Sequence, residues 1–367
     1  MTHWIDTPQA LREHTSRLPQ VIGLDTEFIR ERTFWPQLAL VQIALGPSDD
    51  GHGILLVDAR AAGMCAELAR LLANPDVLKL MHSPSEDLVA FRHACGALPA
   101  PLFDTQTAAA LVDIGAGMSY QKLVRSLCGV ELPKGETRSD WMRRPLLPSQ
   151  LDYAADDVRY LHALHAVLQD RLDALGRGAW IVEECARQLD SAADSDADPW
   201  PHLGIRSARS LAVDGQHRLL RLLRWREAQA RSSDRPRSWI LDNELAVQLA
   251  RRAPSSPAAF HALLDAAPKA PRSLREALWK ALVTPLADEP QAPLAHDEER
   301  DRTRLRTLQD AVATIASELQ LPESVLASRR MLEGLLDGKG WTGALAGWRR
   351  PRLEPRLAPL LAAAPEA

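Results

Sequence analysis

The sequence predicts an α/β domain followed by two all-helical domains, and the alternation of patterns along the chain supports this fold class. Short β-rich runs alternate with helical stretches up to about residue 190: VIGLDTEF, LALVQIAL, GILLVD and VLKLMH against AELARLLA, SEDLVAFRHACG, TQTAAALVDI and YQKLVRSLCGV. The pattern becomes entirely helical from Leu151. Two acidic, proline-bearing linkers, SAADSDADPWPHLG and DEPQAPLAHDEERDR, then separate domains that we place at residues 1–205, 211–287 and 295–367.

Composition indicates an ordinary soluble globular protein. The 367 residues are 46% hydrophobic and 25% charged, and the net charge of −4 argues against a wholly basic nucleic-acid coat protein. The four cysteines lie far apart without a C-x-x-C pair, which fits neither a disulfide framework nor a zinc knuckle. The N-terminus lacks an apolar signal core, and we find no membrane-spanning run. We therefore expect a cytoplasmic protein.

Two carboxylates interrupt the first strongly apolar run, VIGLDTEFIR. Side chains alternate along a strand, so Asp25 and Glu27 lie on the same face, one pleat apart. Buried acids are costly unless they are paired or bind a metal. The alternative is a strand end whose acids reach solvent or pair with Arg30 and Arg32, and D-x-E alone does not decide between the two.

Two later segments supply further candidates. In MHSPSEDLVAF, Glu86 and Asp87 fall in the first turn of a helix, with Ser83 or Ser85 as the expected cap. In LDYAADDVRYLHALH, Tyr153 and Asp157 are spaced i, i+4 and share one helix face. Each segment is unremarkable by itself, so the significance lies in their combination.

This combination resembles the DEDD superfamily of 3′–5′ exonucleases, which has D-x-E on the first strand, an acid opening a middle helix and Y-x-x-x-D on a late helix. The other branch of that superfamily carries a histidine five residues before the last aspartate, where this chain has Asp152. The sequence is therefore similar to the tyrosine branch. The resemblance implies a ribonuclease H-like fold, in which helices flank a mixed sheet.

Longer stretches narrow the resemblance to the ribonuclease D family. They include DTEFIRERTFWPQLALVQIA, PLFDTQTAAALV and KGETRSDWMRRPL. LLRLLRWREAQARSSDRPRSWILDNELAVQLARRAP resembles the HRDC domain, a helical nucleic-acid-binding module, and LQLPESVLASRRMLEGLL resembles a second, divergent HRDC repeat. The family implies a bacterial 3′–5′ exoribonuclease that trims precursors of transfer RNA and other small stable RNAs.

The family's chemistry explains the carboxylates. Two divalent ions can activate a water and stabilise the leaving oxygen in phosphodiester hydrolysis, and oxygen ligands suit Mg²⁺ or Mn²⁺. The resemblance implies that Asp25, Glu27 and Asp157 hold the ion on the nucleophile side, with Asp25 bridging to the second ion. By the same resemblance, Asp87 would support that second ion, directly or through water, and Tyr153 would orient the attacking water. Asp104 is expected to cap a helix close to this site.

Contacts with RNA are less sharply indicated. The loop PKGETRSDWMRRP is basic, and its Lys134 and Arg138 could hold phosphates or simply be solvated. Gln42 and His82 are candidates for meeting the terminal nucleotide, although core packing is the alternative for each. Arg224 and Trp225 belong to an arginine-rich stretch, residues 217–252, that could equally be surface and core of a helix. These six residues are the expected RNA contacts.

We expect a metal-dependent 3′–5′ exoribonuclease that releases nucleoside 5′-monophosphates and acts on RNA as a monomer, without a membrane or an obligatory protein partner. One alternative is a DNA exonuclease, since related sites proofread polymerases, although no G-x-x-x-x-G-K-[ST] motif is present. The other is a non-catalytic RNA-binding protein on a nuclease fold. The complete set of acids and the tyrosine disfavours the second alternative.

Overall fold

A computed structural model describes residues 2–47, 53–133, 135–136, 139–194, 198–268, 270–295 and 302–362. The chain divides into two compact units. Unit 1 comprises Met1–Ile29, Pro36–Asp194 and Asp301–Ala367, and unit 2 comprises Arg30–Trp35 and Ser195–Arg300. The short segment that follows the D-x-E run is thus part of unit 2, whereas the last helical block is part of unit 1. No helix of the described ranges is both long and apolar enough to cross a membrane.

A mixed sheet lies at the centre of unit 1. Within the described residues its strands are β1 (Thr2–Ile5), β2 (Val21–Ile29), β3 (Gln37–Ala44), β4 (Ile54–Asp58), β5 (Leu78–Met81) and β6 (Leu102–Asp104), in the order β1-β4-β3-β2-β5-β6. β3 runs antiparallel to both β2 and β4, whereas the other neighbouring pairs are parallel. The sequence predicted the four strands β2 to β5. It missed β1, whose side chains are mostly exposed, and the three-residue β6, because neither has a periodic apolar pattern.

Helices flank this sheet. Those that precede unit 2 are α1 (Pro8–His14), α2 (Met64–Leu72), α3 (Ser85–Cys95), α4 (Thr105–Leu111), α5 (Tyr120–Cys128), α6 (Pro148–Arg159), α7 (Leu161–Ala174) and α8 (Gly178–Ala193). The expected cap at Asp104 is confirmed, since its side chain accepts the Gln106 N–H. The expected serine cap of α3 is wrong. Pro84 occupies the N-cap, and Ser83, at φ 54°, donates its backbone N–H to Asp104 instead.

Unit 2 is helical and has its own apolar core. Its helices are α9 (Val213–Ser233), α10 (Arg237–Ile240), α11 (Asn243–Arg252), α12 (Pro257–Asp265) and α13 (Arg275–Val283), with 3-10 turns at Pro201–Gly204, Arg206–Ser210, Arg272–Leu274 and Glu289–Gln291. Leucines of α9, α11 and α13 meet Phe260 in this core. The long α9 stays helical because its apolar residues recur at helical spacing, and it ends where Asp234 adopts a left-handed conformation.

The last helical block shares the core of the sheet domain. It contains α14 (Arg302–Glu318), α15 (Glu323–Leu326), α16 (Arg329–Leu336) and α17 (Arg350–Ala362), with 3-10 turns at Gly343–Leu345 and Gly347–Arg349. Its buried leucines join one continuous apolar cluster with those of the sheet. The indole of Trp180 on α8 stacks on that of Trp348 with ring centroids 4.3 Å apart. Arg177 donates to the backbone carbonyls of Leu111 and Leu319, which ties the same two parts together.

Candidate active site

Three carboxylates converge where β2 meets α6. Asp25 and Glu27 lie on β2, and Asp157 lies on α6. Each offers one oxygen to a group whose atoms all lie within 4.8 Å of one another. The alternation of the strand and the helical position of Asp157 therefore bring together the acids that the sequence singled out. The structure does not support the alternative, in which Asp25 and Glu27 lie at a strand end and reach solvent or pair with arginines.

Asp87 approaches the same group from α3. It lies in the first turn, where the helix N-terminus favours a negative charge. The Thr26 hydroxyl donates a hydrogen bond to its Oδ1 across 61 residues of sequence. This contact fixes the Asp87 carboxylate beside β2, and the sequence analysis did not foresee a role for Thr26. Glu86, its neighbour, is exposed.

Burial and mutual repulsion oppose ionisation of these acids. Burial, followed by repulsion from Asp157 and Asp87, raises the pKa of Glu27 to about 9. Mainly through burial, the pKa values of Asp157 and Asp87 rise to about 7 and about 6. Burial and the other three carboxylates raise the pKa of Asp25 well above its ordinary value. A bound cation would favour the charged forms of these acids and so offset the cost of burying them together.

Tyr153 precedes Asp157 by one turn of α6 and donates its hydroxyl hydrogen to that carboxylate. Burial and the nearby acids raise the pKa of the phenol far above its ordinary value, so the hydroxyl stays protonated. The ring is confined on one side by Gly135. A Cβ at position 135 would overlap Cε2 of the tyrosine ring. Sequence reasoning missed Gly135, although a glycine inside a predicted basic loop was a visible signal for close backbone approach.

Gln42 lies on β3 directly opposite Asp25 in the antiparallel pair. Its side chain is fully buried, and neither its amide nitrogen nor its oxygen has a hydrogen-bond partner among the described residues. Buried amides are normally hydrogen bonded. Packing alone therefore does not account for a glutamine at this position beside Asp25.

Three of the remaining predicted RNA contacts, His82, Arg224 and Trp225, are engaged by other groups of the protein. His82 uses both ring nitrogens inside unit 1, one towards Thr105 Oγ1 at 2.9 Å and one towards Met118 O at 3.0 Å. Lys134 and Arg138 lie outside the described residues. In unit 2, Arg224 forms an ion pair with Asp288 at 2.8 Å and also donates to Pro199 O, while Trp225 packs against the core. His82, Arg224 and Trp225 do not belong to the carboxylate cluster.

The donor set fits a divalent metal. The carboxylates supply only hard oxygen ligands, without histidine or cysteine in the cluster, and such sets suit Mg²⁺ or Mn²⁺ better than Zn²⁺. Their raised pKa values are what an array of acids shows before a cation neutralises it. The short separation of the three oxygens, which contributes to these shifts, is compatible with shared coordination.

Comparisons with known proteins agree with this geometry. A 3′–5′ exonuclease family model matches residues 2–173, and an HRDC domain model matches residues 216–278. Ribonuclease D of Xanthomonas oryzae pv. oryzae is 54% identical over 365 residues, which is 99% of each chain. The chain belongs to the ribonuclease D family. Ribonuclease D of Pseudomonas paraeruginosa is 34% identical over 372 residues, or 96% of each chain.

A solved ribonuclease D structure extends the match to the whole fold. The crystal structure of Escherichia coli RNase D, described as an exoribonuclease involved in structured RNA processing, covers 100% of both chains with a TM-score of 0.85 and 27% identity. The predicted fold class is therefore confirmed: an exonuclease domain with a mixed sheet flanked by helices, followed by a helical HRDC region. This ribonuclease D family member is a hydrolase and a 3′–5′ exoribonuclease, and its exonuclease fold implies use of a divalent metal.

Proposed function

We propose that Asp25, Glu27, Asp87 and Asp157 hold two divalent ions, Mg²⁺ or Mn²⁺, and form the catalytic site together with Tyr153. The observation that carries this proposal is the convergence of three carboxylate oxygens within 4.8 Å, with Asp87 fixed beside them by Thr26. Divalent ions in such a site supply Lewis-acid stabilisation and lower the pKa of water. The acids of this chain bind and space those ions.

Tyr153 positions the attacking water in this proposal. Its hydroxyl is held by Asp157 and stays protonated at neutral pH, because burial raises the phenol pKa. A neutral hydroxyl can donate one hydrogen bond while its oxygen accepts another, which is what orientation of a water for in-line attack requires. The ring cannot swing towards Gly135 without meeting backbone, so its position is restricted on that side. The product is a nucleoside 5′-monophosphate.

The substrates that we propose are 3′ ends of transfer RNA precursors and other small stable RNAs. Support comes from the family and from the relative described as acting in structured RNA processing. We further propose that the protein works in the cytoplasm and as a monomer. The monomer is supported because each proposed catalytic residue comes from this one chain.

We propose that the sequence divides at 1–205, 211–287 and 295–367, and that the last segment is a divergent second HRDC repeat that packs into the core of unit 1 instead of folding as a separate compact unit. Support comes from a shared order of elements. In unit 2, the long α9 is followed by Pro236, the four-residue α10 and the Asp242-capped α11. In the last block, the long α14 is followed by Pro322, the four-residue α15 and the Ser328-capped α16.

The proposed RNA contacts differ in their support. Arg224 and Trp225 lie in the matched HRDC region, but Asp288 and the core already engage them. Gln42 and His82 have less support, because Gln42 is fully buried and both His82 nitrogens are hydrogen bonded within the protein. Lys134 and Arg138 remain proposals that rest on charge and on family resemblance alone.

A matched pair of neighbouring acids tests the catalytic assignment. Purified protein is incubated with 5′-labelled single-stranded RNA in Mn²⁺ or Mg²⁺, and Asp87→Asn is compared with Glu86→Gln. We expect a descending ladder for wild type and for the exposed Glu86 variant, and at least a hundredfold slower ladder for the Asp87 variant. EDTA should abolish every ladder. Equal activity of the two variants would remove Asp87 from the site, and an equal ladder on the DNA counterpart would reopen the choice between RNA and DNA as the substrate.

A further inference from the structure

Gln42, in the middle of β3, is a polar side chain in the core of unit 1. It is fully buried, and neither its Nε2 nor its Oε1 has a hydrogen-bond partner among the described residues. An unpaired buried amide costs free energy that an apolar side chain of the same shape would not cost. Stability alone therefore favours an apolar residue at this position.

The place of Gln42 in the sheet limits which groups can pair with its amide. On β2 it lies directly opposite Asp25, and on β4 it lies directly opposite Leu56. Directly opposite residues of an antiparallel pair project from the same face, with Cβ atoms about 5 Å apart. The glutamine side chain can therefore reach the Asp25 carboxylate, whereas Leu56 offers no polar atom.

Two other carboxylates on the same face of the sheet are less suitable partners. Asp58, diagonal to Gln42 on β4, already accepts hydrogen bonds from Arg144 at both oxygens, at 2.7 and 2.8 Å. Glu27 is diagonal to Gln42 on β2, and diagonal neighbours are about 7–8 Å apart. Asp25 is thus the best placed acceptor in the sheet.

A partner from outside the protein does not reach the amide. α6 packs against both β2 and β3, and the Gln42 side chain has no surface accessible to solvent. A nucleotide would therefore not contact this side chain unless the sheet and α6 separated. The hydrogen bond that the amide lacks has to come from within the site.

The Asp25 carboxylate has room for an additional donor. A carboxylate offers roughly four lone-pair sites. The backbone N–H of Thr26 donates a hydrogen bond to Asp25, and the two ions of the proposed site would take two further positions. A hydrogen bond from a group outside the ligand set orients a metal-binding carboxylate and favours its charged form.

We propose that Gln42 is a positioning residue for metal binding, whose amide N–H donates to the Asp25 carboxylate when that acid binds a divalent ion. This role rests on the proposed metal site, in which Asp25 is a ligand. Gln42 then contacts neither the metal nor the RNA, and it acts only through Asp25. Because the amide gains its hydrogen bond as Asp25 turns towards the ions, the unpaired amide is a cost of the metal-free protein.

A matched set of variants tests this role. Gln42→Met replaces the amide with an apolar side chain of similar length. Ile43→Met is the control, because Ile43 is also fully buried on β3 but projects from the opposite face of the sheet. Asp25→Asn is the reference for loss of a ligand. Melting temperatures are measured in EDTA and, separately, in increasing Mn²⁺, and hydrolysis of 5′-labelled RNA gives kcat, KM and the midpoint for Mn²⁺ activation.

We expect Gln42→Met to melt in EDTA at or slightly above the temperature of wild type, since it removes an unpaired buried amide. The Mn²⁺ concentration that raises the melting temperature by a fixed amount should increase about tenfold, at the lower end of the range for residues that orient metal ligands. The midpoint for activation should rise with it. KM for RNA should stay within about twofold, because the binding of substrate is not altered.

Ile43→Met should leave the Mn²⁺ requirement unchanged, and it should lower the melting temperature in EDTA slightly through altered packing. The same result for Gln42→Met, a lower melting temperature in EDTA with an unchanged Mn²⁺ requirement, would assign Gln42 to packing and overturn the proposal. A higher KM for RNA at an unchanged Mn²⁺ requirement would also overturn it, since Gln42 would then be a contact of the substrate.

The reference variant separates failure of this proposal from failure of the metal site. An unchanged Mn²⁺ requirement in Gln42→Met, together with a raised one in Asp25→Asn, would overturn the role of Gln42 and leave the metal site intact. An unchanged requirement in both variants would refute the metal site itself. Gln42→Leu is the second apolar variant, with the same expected outcomes, if melting shows that Gln42→Met does not fold.

Discussion

Two of the places where unit 1 buries ionisable groups use opposite arrangements of charge. At the site, four carboxylates crowd together, and their pKa values are raised by burial and by one another. Between α8 and the last helical block, Glu184 contacts Arg349 and Arg187, and Trp348 Nε1 donates to it at 2.6 Å. Ionisation is disfavoured in the first arrangement, which in our proposal is completed by metal ions, whereas the second arrangement is complete within the chain.

The pKa of Glu184 illustrates the difference. Burial raises it, but Arg349, Arg187 and the Trp348 donor outweigh burial and hold it below its ordinary value. Burial lowers the pKa of Arg349, and an arginine nevertheless stays charged at physiological pH. Opposite charges thus join α8 to the last block, while like charges collect at the site, where we propose that metal ions bind. The two arrangements should respond oppositely to neutralisation of one acid.

The largest expected effect is the loss of activity in Asp25→Asn. This substitution keeps the shape of the side chain and removes one charge from the carboxylate cluster, so hydrolysis of RNA in saturating Mn²⁺ should fall at least a thousandfold. In EDTA at pH 8, the melting temperature should rise slightly above that of wild type, because Asn, unlike Asp25, has no ionisable group whose burial among the other acids costs free energy. A lower melting temperature in EDTA would contradict the view of the cluster as electrostatically strained.

Glu184→Gln should instead destabilise the protein. It leaves the buried Arg349 without its counterion, which costs on the order of 3 kcal/mol of unfolding free energy and lowers the melting temperature by roughly 6–10 °C. The matched control is Glu318→Gln, which removes the exposed partner of Arg356 and should leave the melting temperature unchanged. Equal shifts in the two variants would show that burial of the Glu184 pair has no special importance.

Gly135→Ala should impair catalysis without removing a ligand. The new Cβ would overlap the Tyr153 ring, so the ring or the loop must move, and we expect kcat to fall about ten- to a hundredfold. Gly176→Ala is the control, since a Cβ there meets no atom within 4 Å, although its positive φ adds strain to a position away from the site. The midpoint for Mn²⁺ activation should stay unchanged in Gly135→Ala, because the carboxylates are intact. A shifted midpoint would place Gly135 in metal binding instead.

The smallest expected effect is a dependence of metal-free stability on pH. Between about pH 4.5 and pH 9, Glu27 is ionised in the unfolded chain but keeps its proton in the folded one, so the folded state binds more protons. Stability in EDTA should therefore fall as pH rises through this window, by several degrees of melting temperature. Saturating Mn²⁺ should reduce or reverse the fall, since it binds the deprotonated acids. A flat profile in EDTA would mean that the acids ionise normally.

The segments that carry the site could be predicted from local patterns. Strand alternation placed Asp25 and Glu27 on one face, and helical spacing placed Tyr153 over Asp157, because both patterns depend only on the geometry of the backbone. The structure adds Thr26 and Gly135. The role of Thr26 could not be recognised beforehand, since it acts on a residue 61 positions away. A glycine in the loop was a visible signal at position 135, but its partner was not, because only the folded chain places the Tyr153 ring against it.

The sequence by itself determined the alternating strands and helices, the set of acids and the family, because these depend on residue type and short spacing. Only the tertiary structure decided that the last helical block joins the core of unit 1, through Arg177, Trp348 and Arg349, whereas Arg30–Trp35 belongs to unit 2. Both outcomes depend on which apolar and charged faces meet after the helices have formed. The periodicity of a helix indicates which face must be buried, but it does not indicate which part of the chain will cover that face.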